Sequence, residues 1–323
     1  MIPLLRAELL RIRSRRLTWV ALGAVLLVIA LSQLAVGGSM RPVTADEQAQ
    51  AQASYTEAVR DWETNHEEYE QDCIATGASA ADCAYPPPVV EDFVPRSVST
   101  FAEAGQLVVT ITVAFTGLAL LLVGASVTGA ELSTGALANW LTFVPERGRV
   151  FAAKVVALVL VAAASTAVLS ALALGLTAVV GAAVGATLDG GGGLAEIAGR
   201  GVLVGVAAVV VGFALALLTR HTIAAAGTVL GYLIVSGVLA VVWLAVPALS
   251  GVQRFLPENN LLALLLGEHT YYTVTQVPQP DGTYESSAVE HAISLTQGSV
   301  YWAVVVVVLV ALTYVVFRRR DVN

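Results

Sequence analysis

Charge is scarce in this 323-residue chain: Asp, Glu, Lys and Arg supply 13% of it, well below the roughly one quarter of a soluble globular domain. Cysteine is scarcer, with Cys73 and Cys83 alone and neither in a CxxC motif. No GxxxxGK[ST] arrangement occurs, which argues against a phosphate cradle and against nucleotide binding by this chain. No HExxH occurs either, and none of the four histidines (His66, His221, His269, His291) falls in a long apolar run. No carboxylate pair lies within those runs, so an intramembrane enzyme would lack its nucleophile, base or metal. The sequence predicts neither a catalytic residue nor a metal site.

What is abundant is apolar: 57% of residues are hydrophobic and the mean hydropathy is +0.77. Six runs are long enough to cross a bilayer core. They are residues 17–36, 105–127, 150–185, 201–218, 222–246 and 300–317. The fold expected is all-α, a polytopic integral membrane protein with six transmembrane helices. The third run exceeds one span, and a tilt, a projection or a break at Gly175 or Gly181 would accommodate it. Ser165, Thr166, Ser170 and Thr177 on it read as partners for backbone carbonyls or a neighbouring helix, and Gly205/Gly212 and Gly227/Gly231/Gly237 as close-packing positions.

The polar segments differ sharply in charge. Residues 1–16 carry five arginines against Glu8, and Leu4, Leu5, Leu9 and Ile12 give a partial apolar stripe, an amphipathic lead-in at a membrane surface. Residues 37–104 hold the main insertion, where nine acids and Arg60 lie between Asp46 and Asp72. Tyr55, Val59, Trp62, His66, Tyr69 and Cys73 follow helical spacing there, predicting an acidic helix packed on the rest of its loop. In an oxidising exterior, Cys73 and Cys83 would pair as a disulfide. Residues 186–200 form a Gly-rich turn, 219–221 a tight basic turn, and 247–299 a second large loop with a short interfacial helix at 261–266.

With six spans both termini share a side. The segments on that side hold twelve of the 17 bases and four of the 24 acids, a net +8 against −15 on the other. Arginine and lysine set topology, so both termini (1–16 and 318–323) are expected in the cytoplasm, in a multi-pass protein of the plasma (inner) membrane.

The most informative stretch is the polar interruption from Gly124 to Lys154. Thr128-Gly129-Ala130-Glu131 fits a capping box that starts a helix. Leu132, Ala136, Leu137, Trp140, Leu141 and Val144 then recur on one helical face until Pro145 stops it. Glu131, Ser133, Gly135, Leu137, Leu141, Pro145, Arg147, Arg149 and Lys154, in that order, resemble the first cytoplasmic loop of bacterial ABC transporter permease subunits of the type-2 exporter class. The usual Thr of that pattern is Ala136 here. The Phe-Arg-Arg-Arg-Asp ending is similar to that family as well.

The resemblance implies a cytoplasmic coupling helix over residues 128–149, two larger extracytoplasmic loops and a dimeric membrane unit. It further implies a separate ATPase subunit that docks on the coupling helix and carries the ATP and Mg²⁺, leaving this chain with no cofactor and no nucleic acid. Glu131, Leu137, Trp140, Leu141 and Arg147 are the partner-binding residues it points to, and export is the activity; spans without charges that would select an ion are compatible with an apolar or amphipathic cargo. A membrane scaffold or sensor whose acidic outer loop binds a partner is the alternative reading of the same residues.

Overall fold

The computed structural model describes residues 2–94, 98–135, 146–245, 247–278 and 284–319. In chain order these form α1 (Ile2–Ser14), α2 (Arg16–Met40), α3 (Ala45–Ala75), α4 (Phe101–Ser133), α5 (Arg147–Val184), α6 (Gly191–Thr219), α7 (Thr222–Ala245), α8 (Pro257–Leu266), β1 (Glu268–Pro278), β2 (Tyr284–Ser294) and α9 (Leu295–Arg319). Six helices, α2, α4 to α7 and α9, are long and apolar enough to cross a membrane. The chain is therefore a mostly helical, multi-pass membrane protein.

The helices run past the apolar limits of the sequence because bilayer thickness limits hydrophobicity, not helix length. α5 has 38 residues, about 57 Å at 1.5 Å per residue, against about 30 Å of hydrocarbon. It does not break at either glycine. Gly175 faces open space, while Gly181 lets Met40 of α2 pack so closely that a Cβ would lie 2.6 Å from its Cε. α5 stops at Gly185, whose φ of 80° closes the last turn in the left-handed region.

α4 and α6 form the centre of the bundle. At Gly212 of α6 an added Cβ would stand 2.0 Å from the Leu121 carbonyl oxygen, and at Gly124 of α4 one would stand 2.5 Å from that of Val209. Such approach is open only to glycine, and it maximises the dispersion contacts that drive association where no hydrophobic effect operates between helices. Phe213 of α6 and Phe151 of α5 meet edge-on, and Phe151 also contacts Tyr314 and Phe317 of α9. This aromatic cluster belongs to the largest apolar core.

Contacts gather the segments at two ends. At one, Arg15 donates to the Ser126 and Val127 carbonyls, Arg147 to that of Arg318, and Thr222 closes on Gly129. At the other, Ser99 N–H donates to Ser39 O, Gly190 lies against Ala102, and Gly298 packs on the α8 backbone at Asn260. α1 and the end of α9 lie at the first end.

The two insertions differ from each other. α3 starts with a capping box, Thr44 to Glu47. Its aromatic stripe meets its own loop: Tyr55 packs on Phe93, Tyr69 on Tyr85, and the Trp62 indole donates to Tyr85 O at 2.8 Å. The second insertion, expected as a loop with a short interfacial helix, holds a hairpin besides the helix α8. After α8, β1 and β2 pair antiparallel from Glu268↔Ser294 to Pro278↔Tyr284. Tyr271, Tyr272, Thr273 and Val274 are β-formers, and the sequence between the strands carries Pro280, Asp281 and Gly282, which favour turns.

Candidate functional site

Four charged side chains from three helices meet at the end that holds α1 and the last turn of α9. Lys154 of α5 is the hub. Its Nζ stands 3.0 and 3.1 Å from the two Glu8 oxygens of α1 and 2.5 Å from Oε2 of Glu131 in α4. Arg11, one turn along α1 from Glu8, reaches Glu8 Oε1 at 3.4 Å and Glu131 Oε1 at 3.6 Å. The side chains of Lys154, Glu8 and Glu131 are 4%, 2% and 8% exposed, and that of Arg11 is 37% exposed. Two cations thus face two carboxylates, and of the four only Arg11 reaches water. Their attraction offsets the desolvation penalty only while every partner is present, and removal of one leaves a buried charge uncompensated.

Local sequence places each member. Glu8 sits one turn from Leu5 and from Ile12 on the apolar stripe of α1, so burying the stripe buries the carboxylate; Ile12 itself is 2% exposed. The α1–α2 junction is pinned beside the cluster, where Thr18 donates to Ile12 O and Trp19 to Arg13 O. Glu131 lies in the last turn of α4 and Lys154 in the third turn of α5, directly after Phe151 and the aromatic cluster.

Placement of Glu131 corrects the sequence reading. Residues 124–133 continue α4 without interruption, and Thr128, expected to start a helix, is buried inside it with its hydroxyl donating to Gly124 O at 3.2 Å. The capping boxes belong to Thr44/Glu47 and Thr100/Glu103. A threonine followed by a glutamate at i+3 has the same spelling inside a helix as at its start, and only the apolar run preceding Thr128 distinguishes the two. The segment outside both α4 and α5 narrows to 134–146. Leu137, Trp140 and Leu141 lie outside the described residues. Arg147 is the first residue of α5 and its Nη1 donates to Arg318 O at 3.2 Å; it is not part of the ion cluster.

Glu8 and Arg11 were not recognised as site residues from sequence, though the signal was present: a single acid on the apolar stripe of an otherwise basic helix. Gln33 of α2 is a second such residue, buried mid-span, where its Oε1 accepts from Thr177 and its Nε2 donates to Ala173 O. Ser165 and Thr177 donate to carbonyls within α5. Thr166 and Ser170 are buried without a hydrogen-bond partner among the described residues.

Cys73 and Cys83 form a disulfide, with Cα atoms 5.7 Å apart. Among the described residues no group of three His, Cys, Asp or Glu side chains is placed to hold a metal ion.

Residues 93–323 match the family described as "Protein of unknown function (DUF2705)", and the chain belongs to that family. The match takes in Glu131 and Lys154 and leaves out α1, which supplies Glu8 and Arg11. No curated protein matches the chain.

Proposed function

We propose that this chain is the membrane-spanning permease subunit of an ATP-driven ABC exporter. ATP hydrolysis resides on a separate ATPase subunit, and a second permease copy or homologue completes the membrane unit. The ion cluster carries the reading. Glu131 and Lys154 stand at the two roots of the 134–146 segment, whose sequence resembles a coupling loop, and Glu8 and Arg11 add α1 to the same node. A force on that segment is delivered at once to α1, α4 and α5, which is what a two-state, rigid-body switch of the spans requires. Twelve bases gathered at the same end support placing it in the cytoplasm, with α3 and the β-hairpin outside the plasma membrane. The open face of α7, where Gly227, Gly231 and Gly237 meet nothing within 4 Å, supports a second copy as its cover.

The test is association. Trp140→Asp and Leu141→Asp should leave a folded, inserted protein that no longer retains or stimulates its ATPase in co-purification. Normal ATPase binding and transport in both variants refutes the coupling assignment. A second reading, a scaffold or sensor acting through its outer loop, is favoured by the 31-residue acidic helix α3 and its disulfide. Nucleotide-dependent transport in vesicles excludes it.

A further inference from the structure

A cleft of about 400 Å³ opens between α4, α6, α7, α8 and α9. Val113, Leu118, Val204, Leu233, Leu261 and Trp302 are among its walls, and its lining is almost wholly apolar. Two polar features break that character. The indole Nε1 of Trp302 is shielded from solvent and has no acceptor. One turn before Leu261 on α8 stands Glu258, whose two carboxylate oxygens accept hydrogen bonds from Tyr232 and Ser236 of α7. Tyr232 adjoins Leu233 in sequence, and Ser236 follows Leu233 by one turn, so the carboxylate lies one turn beyond the cleft's lining on two of the helices that wall it.

Among the described residues Glu258 has hydroxyl donors but no counter-ion. Among the described residues no Lys, Arg or His pairs with it, and Arg254, the basic residue nearest in sequence, turns its guanidinium to Gln297 at 3.3 Å. Tyr301 of α9 lies within electrostatic reach and contributes another hydroxyl, not a positive charge. A carboxylate beside an apolar cleft of membrane spans is costly; the first turn of α8 and the two hydroxyls offset part of that cost but supply no cation. Bilayer acyl chains can fill the cleft, but they bring no cation to Glu258.

We infer that the cleft and Glu258 together bind an amphiphilic organic cation, its apolar body among Val204, Leu233, Leu261 and Trp302 and its cationic head at Glu258. The charge complementarity selects this occupant over a neutral lipid or a second copy of the chain. The inference deepens the export reading by naming a cargo class, and it rests on that reading only for the movement of the cargo. Binding itself needs no ATPase.

The experiment uses the full chain in dodecyl maltoside micelles, whose head group carries neither charge nor ammonium. Tetraphenylphosphonium is the cationic probe and triphenylphosphine oxide its neutral counterpart. Expected are saturable binding of the cation to the wild-type protein and about tenfold weaker binding of the neutral probe, equivalent to 1.4 kcal/mol. Glu258→Gln should erase that difference, and Val204→Trp, which fills the cleft, should abolish binding of both. Ser236→Ala keeps the carboxylate and should hold or raise cation affinity. The wild-type comparison stands even if a variant fails to fold. Equal binding of the two probes, or no saturable binding because lipid or a second copy occupies the cleft, overturns the inference. Failed ATPase association would overturn the export reading alone, so the two failures are separable.

Discussion

α4 and α6 differ from α7 and α9 in packing far more than in composition. Their most apolar stretches have mean hydropathies of 2.4 and 2.7 against 1.9 and 2.6, yet 56% and 61% of those stretches is buried against 6% and 11%. Apolarity decides that a helix enters the membrane; it does not decide what the helix touches there, because lipid is as apolar as leucine. Glycine position and polar placement do decide. Gly124 and Gly212 put two backbones in contact, whereas the three glycines of α7 face open space. The same residue type on two spans therefore has two roles, and the second is completed by something outside the single chain.

The sharpest way to break this contrast is to add a side chain where none fits. Gly212→Val places a Cβ where the Leu121 carbonyl oxygen would be 2.0 Å away, and backbone cannot yield as a flexible side chain does. Overpacking costs about 1–3 kcal/mol or more, and this site lies at the upper end or beyond. Gly212→Val is expected to lose monodisperse protein on size-exclusion chromatography, while the same change at Gly231 retains it. Equal behaviour at both positions would mean that the central crossing is not close-packed.

Next in size is the ion cluster, which ties the packed core to α1. Lys154→Met leaves Glu8 and Glu131 buried without their hub and is expected to cost about 3–5 kcal/mol. The triple change Glu8→Gln, Lys154→Met, Glu131→Gln removes the charges together and should recover most of that loss in thermal denaturation. Recovery of stability with continued loss of transport would separate a switching role from a structural one.

Much of this organisation is legible in the sequence, because span number depends on long runs of one residue class and such runs are hard to miss. The acidic helix was legible for a related reason: Tyr55, Trp62 and Tyr69 recur at helical spacing, and their partners Tyr85 and Phe93 lie in the same insertion. The ion cluster was half legible. Glu131 and Lys154 stand out as polar residues between apolar runs, but the pairing of Lys154 with Glu8 joins positions 146 residues apart, which no local pattern encodes. The β-hairpin was obscured because Tyr, Thr and Val at the edge of a membrane protein read equally well as interfacial loop. The Glu258 site was hidden by the same distance effect, since Tyr232 and Ser236 look like ordinary residues of an apolar span.

The insertions sharpen the comparison from outside the bundle. The described part of α3 touches its own loop far more than the spans, so its staple should act locally. The disulfide closes a loop with a sequence separation of 10, worth about 2–3 kcal/mol in the chain-entropy account. Replacing Cys73 and Cys83 by serine should speed proteolysis and hydrogen exchange of residues 45–94 and leave the melting of the bundle unchanged. A matching fall in bundle stability would show that the insertion and the spans unfold as one unit.

The smallest expected effect decides what covers α7. Gly231→Ala adds one methyl group in a place where nothing lies within 4 Å in the single chain. For an isolated helix facing lipid, the change replaces the residue with the greatest backbone entropy by the best helix former, a gain of up to about 1 kcal/mol. For a helix whose glycine face meets a second copy, the same methyl holds two backbones apart, because close crossings in membranes depend on small residues at four-residue spacing such as Gly227 and Gly231. The monomer fold should be equally sound in both cases, so the readout is association: single-molecule photobleaching of the labelled protein in dilute nanodiscs or vesicles. A shift from two copies toward one in Gly231→Ala, with unchanged or slightly raised thermal stability, places the second copy on α7. Unchanged association with the stability gain leaves lipid as the cover, and the partner surface must then lie elsewhere on the bundle.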